Sequence, residues 1–411
     1  MPKSTSDCCA TGCKRLWPKV RLGDVCDTIN GLWKGVKPPF ITVGVIRATN
    51  FSKNCEFSIT PKNTVYIEVE EKKYLKRKLH PGDLIVERSG GGPGQPVGRV
   101  VLFDRKDGEF TISNFTSILR IKHGTNIDPM YLQRCLTSFY VRGETDKIQS
   151  HTIALHNLDF DAFLDFQIPL PPLAEQKKIV EKVEKALKRV DALKAQFERM
   201  EKSAADYFKA ALAETFAAVK GEKVKLGDVC ETITDGDHQP PPKTDDGVPF
   251  LVISNVADGV LDFKATRHVP VRYYEAIDEK RKPKMGDVLL TVTGSFGIPV
   301  LVDTDRPFCF QRHIALLRTS KMTPEFLKYL MLAPESVQYF DRVATGAAQR
   351  TVSLSSLREM KVTLPQMQSQ REVVKRLTEI KCTANRLEEA ARRCIGICGK
   401  MRKAILAEAF Q

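Results

Sequence analysis

The residues with the best claim to covalent chemistry are few, and each lacks a part that the chemistry requires. Methyl transfer to an adenine amine needs a glycine-rich cofactor loop and an Asn/Asp-Pro-Pro-Tyr/Phe motif whose acceptors hold that amine. The nearest match is Lys37-Pro38-Pro39-Phe40. A lysine ammonium has only donors and cannot accept from the amine, so the segment reads as a turn or a DNA-facing loop. The glycine-rich stretch from Ser89 to Gly98 has prolines at 93 and 96 and no Lys-Ser/Thr after it. It is therefore not a phosphate-cradling P-loop and reads as a hairpin tip or surface loop flanked by Arg88 and Arg99. Cys8, Cys9 and Cys13 have no second cluster at zinc spacing. Cys394 and Cys398 are four apart in a helical pattern and read as small core residues. The seven histidines form no His-x-x-x-His pair; His151, His238 and His313 sit in polar loops or strand ends, and His313 equally suits a packed strand. No catalytic residue and no metal site emerges.

Bulk properties narrow the class. A chain of 411 residues suffices for two or three domains, each with its own core. No apolar run approaches the ~18 residues of a membrane span, and Met1 to Lys14 lacks the apolar core of a secretory signal. Eleven cysteines, an odd number spread thinly, suit reduced thiols in a cytoplasm rather than a disulfide framework. The net charge of +14 points to a polyanionic partner. Segment 221–365 holds as many acidic as basic residues, so the excess lies elsewhere.

The elements that must position any site are written twice. Val20-Arg21-Leu22-Gly23-Asp24-Val25-Cys26 returns as Val224-Lys225-Leu226-Gly227-Asp228-Val229-Cys230. Pro81-Gly82-Asp83-Leu84-Ile85 returns as Met285-Gly286-Asp287-Val288-Leu289, and Ile168-Pro169-Leu170-Pro171 as Val362-Thr363-Leu364-Pro365, with Gln176 matched by Gln370. Three blocks in conserved order define an internal repeat of about 200 residues. The first part of each unit mixes strands (Thr64 to Val69, Val288 to Val292) with short proline-led helices at Pro129 to Thr137 and Pro324 to Leu332.

The second part of each unit predicts a long helix. Apolar residues recur in steps of four and three: Ile179, Val183, Ala186, Val190, Leu193, Phe197, Met200, Ala204, Tyr207 and Ala211. The second copy gives Val373, Leu377, Ile380, Ala384, Leu387, Ala391, Cys394, Cys398, Met401 and Ile405. This is the pattern of a coiled-coil seam. A helix over about 173–215 is roughly 60 Å long. The expected fold is α+β: two globular mixed α/β domains alternating with two long helices that pair as an antiparallel coiled coil, with pseudo-two-fold internal duplication. The expected boundaries are 1–170, 171–220, 221–365 and 366–411.

This organisation resembles the specificity subunits of type I restriction–modification systems over essentially the whole chain. The most specific residues are Ile168-Pro169-Leu170-Pro171-Pro172-Leu173-Ala174-Glu175-Gln176, followed by Ile179-Val180. The second copy, Leu364-Pro365-Gln366-Met367 with Ser369-Gln370-Arg371, departs more but keeps Leu-Pro and Gln. Also similar are Thr234-Asp235-Gly236-Asp237-His238-Gln239-Pro240, Pro249 to Asn255, and Gly286 to Leu290 running into Thr293-Gly294-Ser295-Phe296-Gly297. The resemblance implies two target-recognition domains, each reading half of a bipartite, asymmetric target in double-stranded DNA. It implies that the helices set the spacing and dock two methyltransferase subunits, with restriction/motor subunits joining for cleavage. No cofactor is expected on this chain; S-adenosylmethionine is expected on the methyltransferase subunits, and ATP and Mg on the restriction subunit. The chain itself is then no enzyme.

Side chains able to read base edges or grip phosphates on Gly- and Pro-rich loops are the candidate contacts. In the first domain these are Trp33, Lys34, Lys37, Arg88, Ser89, Gln95, Arg99, Gln149, Ser150, His151 and Thr152. In the second they are Asp237, His238, Gln239, Lys243, Ser254, Asn255, Thr293, Ser295, Arg312, Gln349, Arg350 and Thr351. The competing reading is a coiled-coil scaffold joining two protein-binding domains without sequence-specific DNA recognition.

Overall fold

The computed structural model describes residues 17–60, 62–91, 95–151, 156–238, 241–347 and 349–410. The chain divides into two compact units, Met1–Gln196 with Cys394–Gln411 and Phe197–Arg393. Among the described residues, the first unit is built on a four-stranded sheet in the order Cys26–Asn30, Thr116–Ile121, Leu84–Glu87, Val100–Leu102. A three-stranded sheet of Val65–Glu70, Phe40–Ile46 and Phe110–Ile112 accompanies it; its central strand pairs antiparallel with the first and parallel with the last. A small three-stranded sheet of Gln149–His151, His156–Leu158 and Ser89–Gly90 is added.

The second unit repeats both larger sheets. Its four-stranded sheet runs Thr232–Asp235, Ile314–Arg318, Val288–Thr291, Pro299–Leu301, and its three-stranded sheet runs Arg267–Val269, Val248–Leu251, Cys309–Phe310. The antiparallel and parallel pairings fall in the same places. The repeated Gly-Asp pair explains part of this. Gly82 and Gly286 adopt positive φ, +98° and +89°, which a residue with a Cβ rarely tolerates. The aspartate that follows each receives a two-pronged arginine: Arg120 on Asp83 at 2.8 and 2.7 Å, and Arg318 on Asp287 at 2.8 and 2.7 Å. Each arginine also donates to a backbone carbonyl, Lys78 or Lys282.

Two long helices, Leu173–Ala218 and Met367–Ala409, follow the domains. Each begins where a short strand pair closes: Lys19–Arg21 with Gln167–Pro169, and Glu222–Lys225 with Lys361–Leu364. The glutamine of each Leu-Pro…Gln block is buried and bonded at both ends. Gln176 accepts from the Asp128 N–H at 2.8 Å and donates to the carbonyls of Asn126 and Pro171, both at 2.8 Å. Gln370 accepts from the Thr323 N–H at 2.8 Å and donates to Lys321 at 3.1 Å and Pro365 at 3.0 Å. Asp128 and Thr323 are the N-caps of Pro129–Val141 and Pro324–Leu332. One side chain thereby locks the start of the long helix to the cap of a domain helix.

The helices bury a four-three stripe, but not quite the expected one. Val183, Val190, Ala204 and Ala211 are buried as the spacing requires, as are Leu377, Ala384, Ala391 and Cys398. Ile179, Phe197, Met200, Val373, Ile380 and Ile405 are half-buried. At three alternate positions the buried residue lies one further on. Leu187 and Phe208 are buried beside Ala186 and the exposed Tyr207, while Leu193, Leu387 and Met401 are exposed. Where two neighbours compete, the bulkier or better-partnered one goes inside: Leu187 over Ala186, Phe208 over Tyr207, whose phenol stays wet. Arg402 displaces Met401 because its guanidinium meets Asp191 at 2.8 and 2.6 Å and also Glu56.

Replacing Gln370 with Leu strands the N–H of Thr323 at a half-buried cap. The expected loss of unfolding free energy is about 1–3 kcal/mol, read by denaturant titration. An unchanged midpoint means that the glutamine is dispensable.

Candidate nucleic-acid interface

The candidate contacts separate by what their side chains already hold. Arg99 is buried, gripping Glu87 at 2.8 and 2.7 Å and donating to the Phe51 carbonyl at 2.9 Å. This corrects its sequence-based reading as a loop cation: it is the internal counter-charge of a buried carboxylate. Arg88 is half-buried, donates to Asn30 at 3.0 Å and lies 4.4 Å from the centre of the Phe160 ring. Ser89 donates to Asn157 at 2.6 Å. Gln149 accepts from the Val97 N–H at 3.2 Å and donates to Thr145 and Asp146, each at 3.2 Å. These three brace the loop that follows Glu87.

What remains outward in the first unit is a different set. Trp33 is 73% exposed, and Lys34, Lys37 and Ser150 are exposed. The Trp33 loop is tied at its base. Gly35 N–H donates to the Glu68 carbonyl at 2.8 Å, and the Val36 and Lys37 N–H groups reach the Glu70 carboxylate at 3.4 Å. Gln95 opens on a cleft that it shares with Lys53, Lys400 and Lys403, three cations that spacing alone did not single out. Thr152 and Gln239 lie outside the described residues, as does the side chain of His151.

The second unit shows the same division. Asn255 is buried and accepts from the Val252 N–H at 3.0 Å, as Asn50 does from Arg47 at 2.9 Å. Both asparagines therefore anchor a loop, which corrects the reading of Asn255 as a contact. Thr293 is buried and accepts from Thr351 at 3.2 Å. Asp237 accepts from the Tyr273 hydroxyl at 2.8 Å and lies 3.5 Å from Arg281. Burial, helped by that hydrogen bond to Asp237, pushes the Tyr273 phenol up to about 12. Arg281, which sequence reasoning missed, also donates to the backbone carbonyls of Asp235 and Gly236. Arg350 pairs with Asp341 at 3.3 Å and covers the Phe296 ring.

His238, Lys243, Ser254, Ser295, Arg312 and Gln349 are exposed. Lys243 shares a groove with Arg267 and His268, a further pair of basic residues on a strand edge. His313 is half-buried, and its pKa is lowered by burial and by the adjacent Arg312. It lies in the turn that leads into Ile314–Arg318, at the strand end rather than within the strand. Among the described residues, no cluster of His, Cys, Asp and Glu has the form of a metal site. Burial pushes the Cys135 thiol up to about 12, so it is inert.

The division is testable by stability. Arg99→Ala leaves the Glu87 carboxylate buried and uncompensated, an expected loss of about 3–5 kcal/mol. Lys34→Ala should leave the unfolding midpoint where it is. Equal stability of both variants contradicts the assignment.

The family model for the type I restriction modification DNA specificity domain matches residues 14–202 and again 219–393. The EcoBI type I restriction enzyme specificity subunit of Escherichia coli is 26% identical over 296 residues, 63% of this chain and 61% of that protein's length. The EcoKI specificity subunit of Escherichia coli strain K12 is 24% identical over 399 residues, 89% of this chain and 81% of the relative. Among solved structures, a chain from work on complex assembly and conformational transition of the type I R-M system superposes with a TM-score of 0.75. It shares 21% identity, with 98% of this chain and 99% of that one covered. The HsdS subunit from Thermoanaerobacter tengcongensis gives 0.58 at 21% identity, with 97% of each covered. The fold is theirs, and the chain belongs to the type I restriction modification DNA specificity domain family, whose members are DNA-recognition components rather than catalysts.

Proposed function

We propose that this chain is the sequence-reading subunit of a type I restriction–modification complex. The observation that carries this is the recurrence, in both units, of one strand order with one buried glutamine joining the domain to a long helix. Two readers of one architecture suit a target in two parts. The readers are residues 1–170 and 221–365, and the spacers are 171–220 and 366–411. The target is a bipartite, asymmetric sequence in double-stranded DNA.

The helices form an antiparallel coiled coil, and the duplicated units are related by a pseudo-two-fold axis. The order of partners supports this. Val183 and Leu187 share a core with Leu406 and Phe410, Asp191 meets Arg402, Glu201 meets Arg392, and Glu214 meets Arg376. Partner numbers fall along one helix as they rise along the other. Phe208 and Leu212 pack with Leu377 and Ala384 in the same sense. The pair sets the gap between half-sites and docks two methyltransferase subunits, with restriction/motor subunits completing the complex.

This chain binds no cofactor in this account. S-adenosylmethionine belongs to the methyltransferase subunits, and ATP and Mg belong to the restriction subunit. The place of action is the cytoplasm; among the described residues no helix is long and apolar enough to cross a membrane. A protein scaffold with two binding domains is the weaker reading, because it gives no reason for loops carrying Lys34, Lys37, Lys243 and Arg312 outward.

Two results are expected. The purified chain alone transfers no methyl group, and with its methyltransferase subunits and S-adenosylmethionine it directs adenine methylation at one split sequence. Methyl transfer by the chain alone contradicts the proposal. Lengthening both helices by one heptad adds roughly 10 Å, about three base pairs at 3.4 Å per step. Methylation mapping should then find a longer gap between unchanged half-sites.

A further inference from the structure

The loops that leave the first strand of each four-stranded sheet begin on a glycine pressed against backbone and are held by the same backbone hydrogen bond. In the first unit Cys26–Asn30 runs into Gly31, where a Cβ would stand 2.0 Å from the Ser113 carbonyl oxygen. In the second unit Thr232–Asp235 runs into Gly236, where a Cβ would stand 1.9 Å from the Phe310 carbonyl oxygen. No side chain fits at either place. One residue on, the Leu32 N–H donates to the Ile112 carbonyl at 3.1 Å and the Asp237 N–H to the Phe310 carbonyl at 2.9 Å. The next residue is Trp33 in one unit and His238 in the other. They share one backbone support, both are well exposed, and their side chains differ completely.

We propose that Trp33 and His238 are equivalent specificity-determining residues, Trp33 by stacking against bases and His238 by hydrogen bonding a base edge, each in its own half-site. This inference rests on the DNA-reading function proposed above.

The residue three places earlier separates the two modes. Asn30 is exposed, but its side-chain oxygen already accepts from Arg88 at 3.0 Å and from Ser117 at 3.2 Å rather than from the Trp33 indole. The indole has one N–H and no acceptor. It cannot match a donor–acceptor pattern; what it presents is a broad π-face and apolar area. Lys34 and Lys37 are exposed around it, and Val36 is 81% exposed. An apolar wedge between cations suits bases with phosphates on either side.

In the second unit the matching residue is Asp235, and it holds the tip. Its Oδ2 lies 3.0 Å from the Nε2 of His238. A carboxylate only accepts, so Nε2 carries the proton. Nδ1 is the ring's remaining hydrogen-bonding atom, an acceptor in the neutral imidazole. An acceptor suits the amino groups of adenine or cytosine in the major groove. Asp235 is itself steadied by Arg281 at 3.9 Å.

The test uses the full chain assembled with its methyltransferase subunits, acting on DNA libraries with one half-site randomised at a time. Trp33→Ala should cut discrimination about tenfold or more at one or two adjacent base pairs of a single half-site. Trp33→Phe should keep most of it. His238→Ala should do the same in the other half-site only, and Asp235→Asn should partly reproduce it. In a Trp17→Phe background, which leaves Trp33 as the one tryptophan, target DNA should quench the emission. Parental base preferences in both variants overturn the inference. So does a loss spread over both half-sites, or weakened subunit assembly with base preference intact. A parental complex that shows no sequence preference fails the DNA-reading function itself, and this inference with it.

Discussion

A glutamine amide has an acceptor at one end and a donor at the other, and both are costly to bury without partners. Gln176 and Gln370 are buried and satisfied at both ends by backbone groups of the domain helix cap and of the turn into the long helix. The direction in which each long helix leaves its domain therefore follows from where two backbone loops stand. Those loops are fixed in turn by the sheets, whose Gly-Asp turns are pinned by Arg120 and Arg318. A reading surface is useful only if its pose on the helix is reproducible, and this chain of polar contacts supplies that pose twice.

Much of this was legible in the residues. The Pro-Pro and Leu-Pro stops, the glutamines, the Gly-Asp turns and the four-three stripe each impose a local geometry that few alternatives satisfy. The stripe departs from its expected course at a few alternate positions, because Ala186 and Leu187, or Tyr207 and Phe208, are both apolar. Periodicity cannot choose between neighbours; volume and ion-pair partners do. Arg402 shows the limit most clearly, since no hydrophobicity pattern puts an arginine inside. Its place depends on Asp191 and Glu56, which are far away in sequence.

The candidate interface was legible by type and less so by role. Arg99, Gln149, Asn255 and Thr293 have the chemistry of DNA contacts, and the fold spends that chemistry on its own loops. Ser, Thr, Asn and Gln commonly do so, and sequence does not reveal whether the partner is internal. The tip residues are the opposite case. Trp33 and His238 look unrelated in sequence, and only the matching hydrogen bond one residue before each, to Ile112 or Phe310, makes them equivalent. Repeated scaffolds with unlike tips are what two readers of different half-sites require.

The central claim is that the two units read independently on a common frame. Exchange of residues 221–365 for the same segment of a family member with a known, different target tests it most directly. Methylated positions are then mapped in DNA carrying every combination of half-sites. The account predicts that one half-site switches to the donor's sequence, while the other half-site and the gap stay as they were. A folded, active hybrid that changes both halves, or neither, contradicts it.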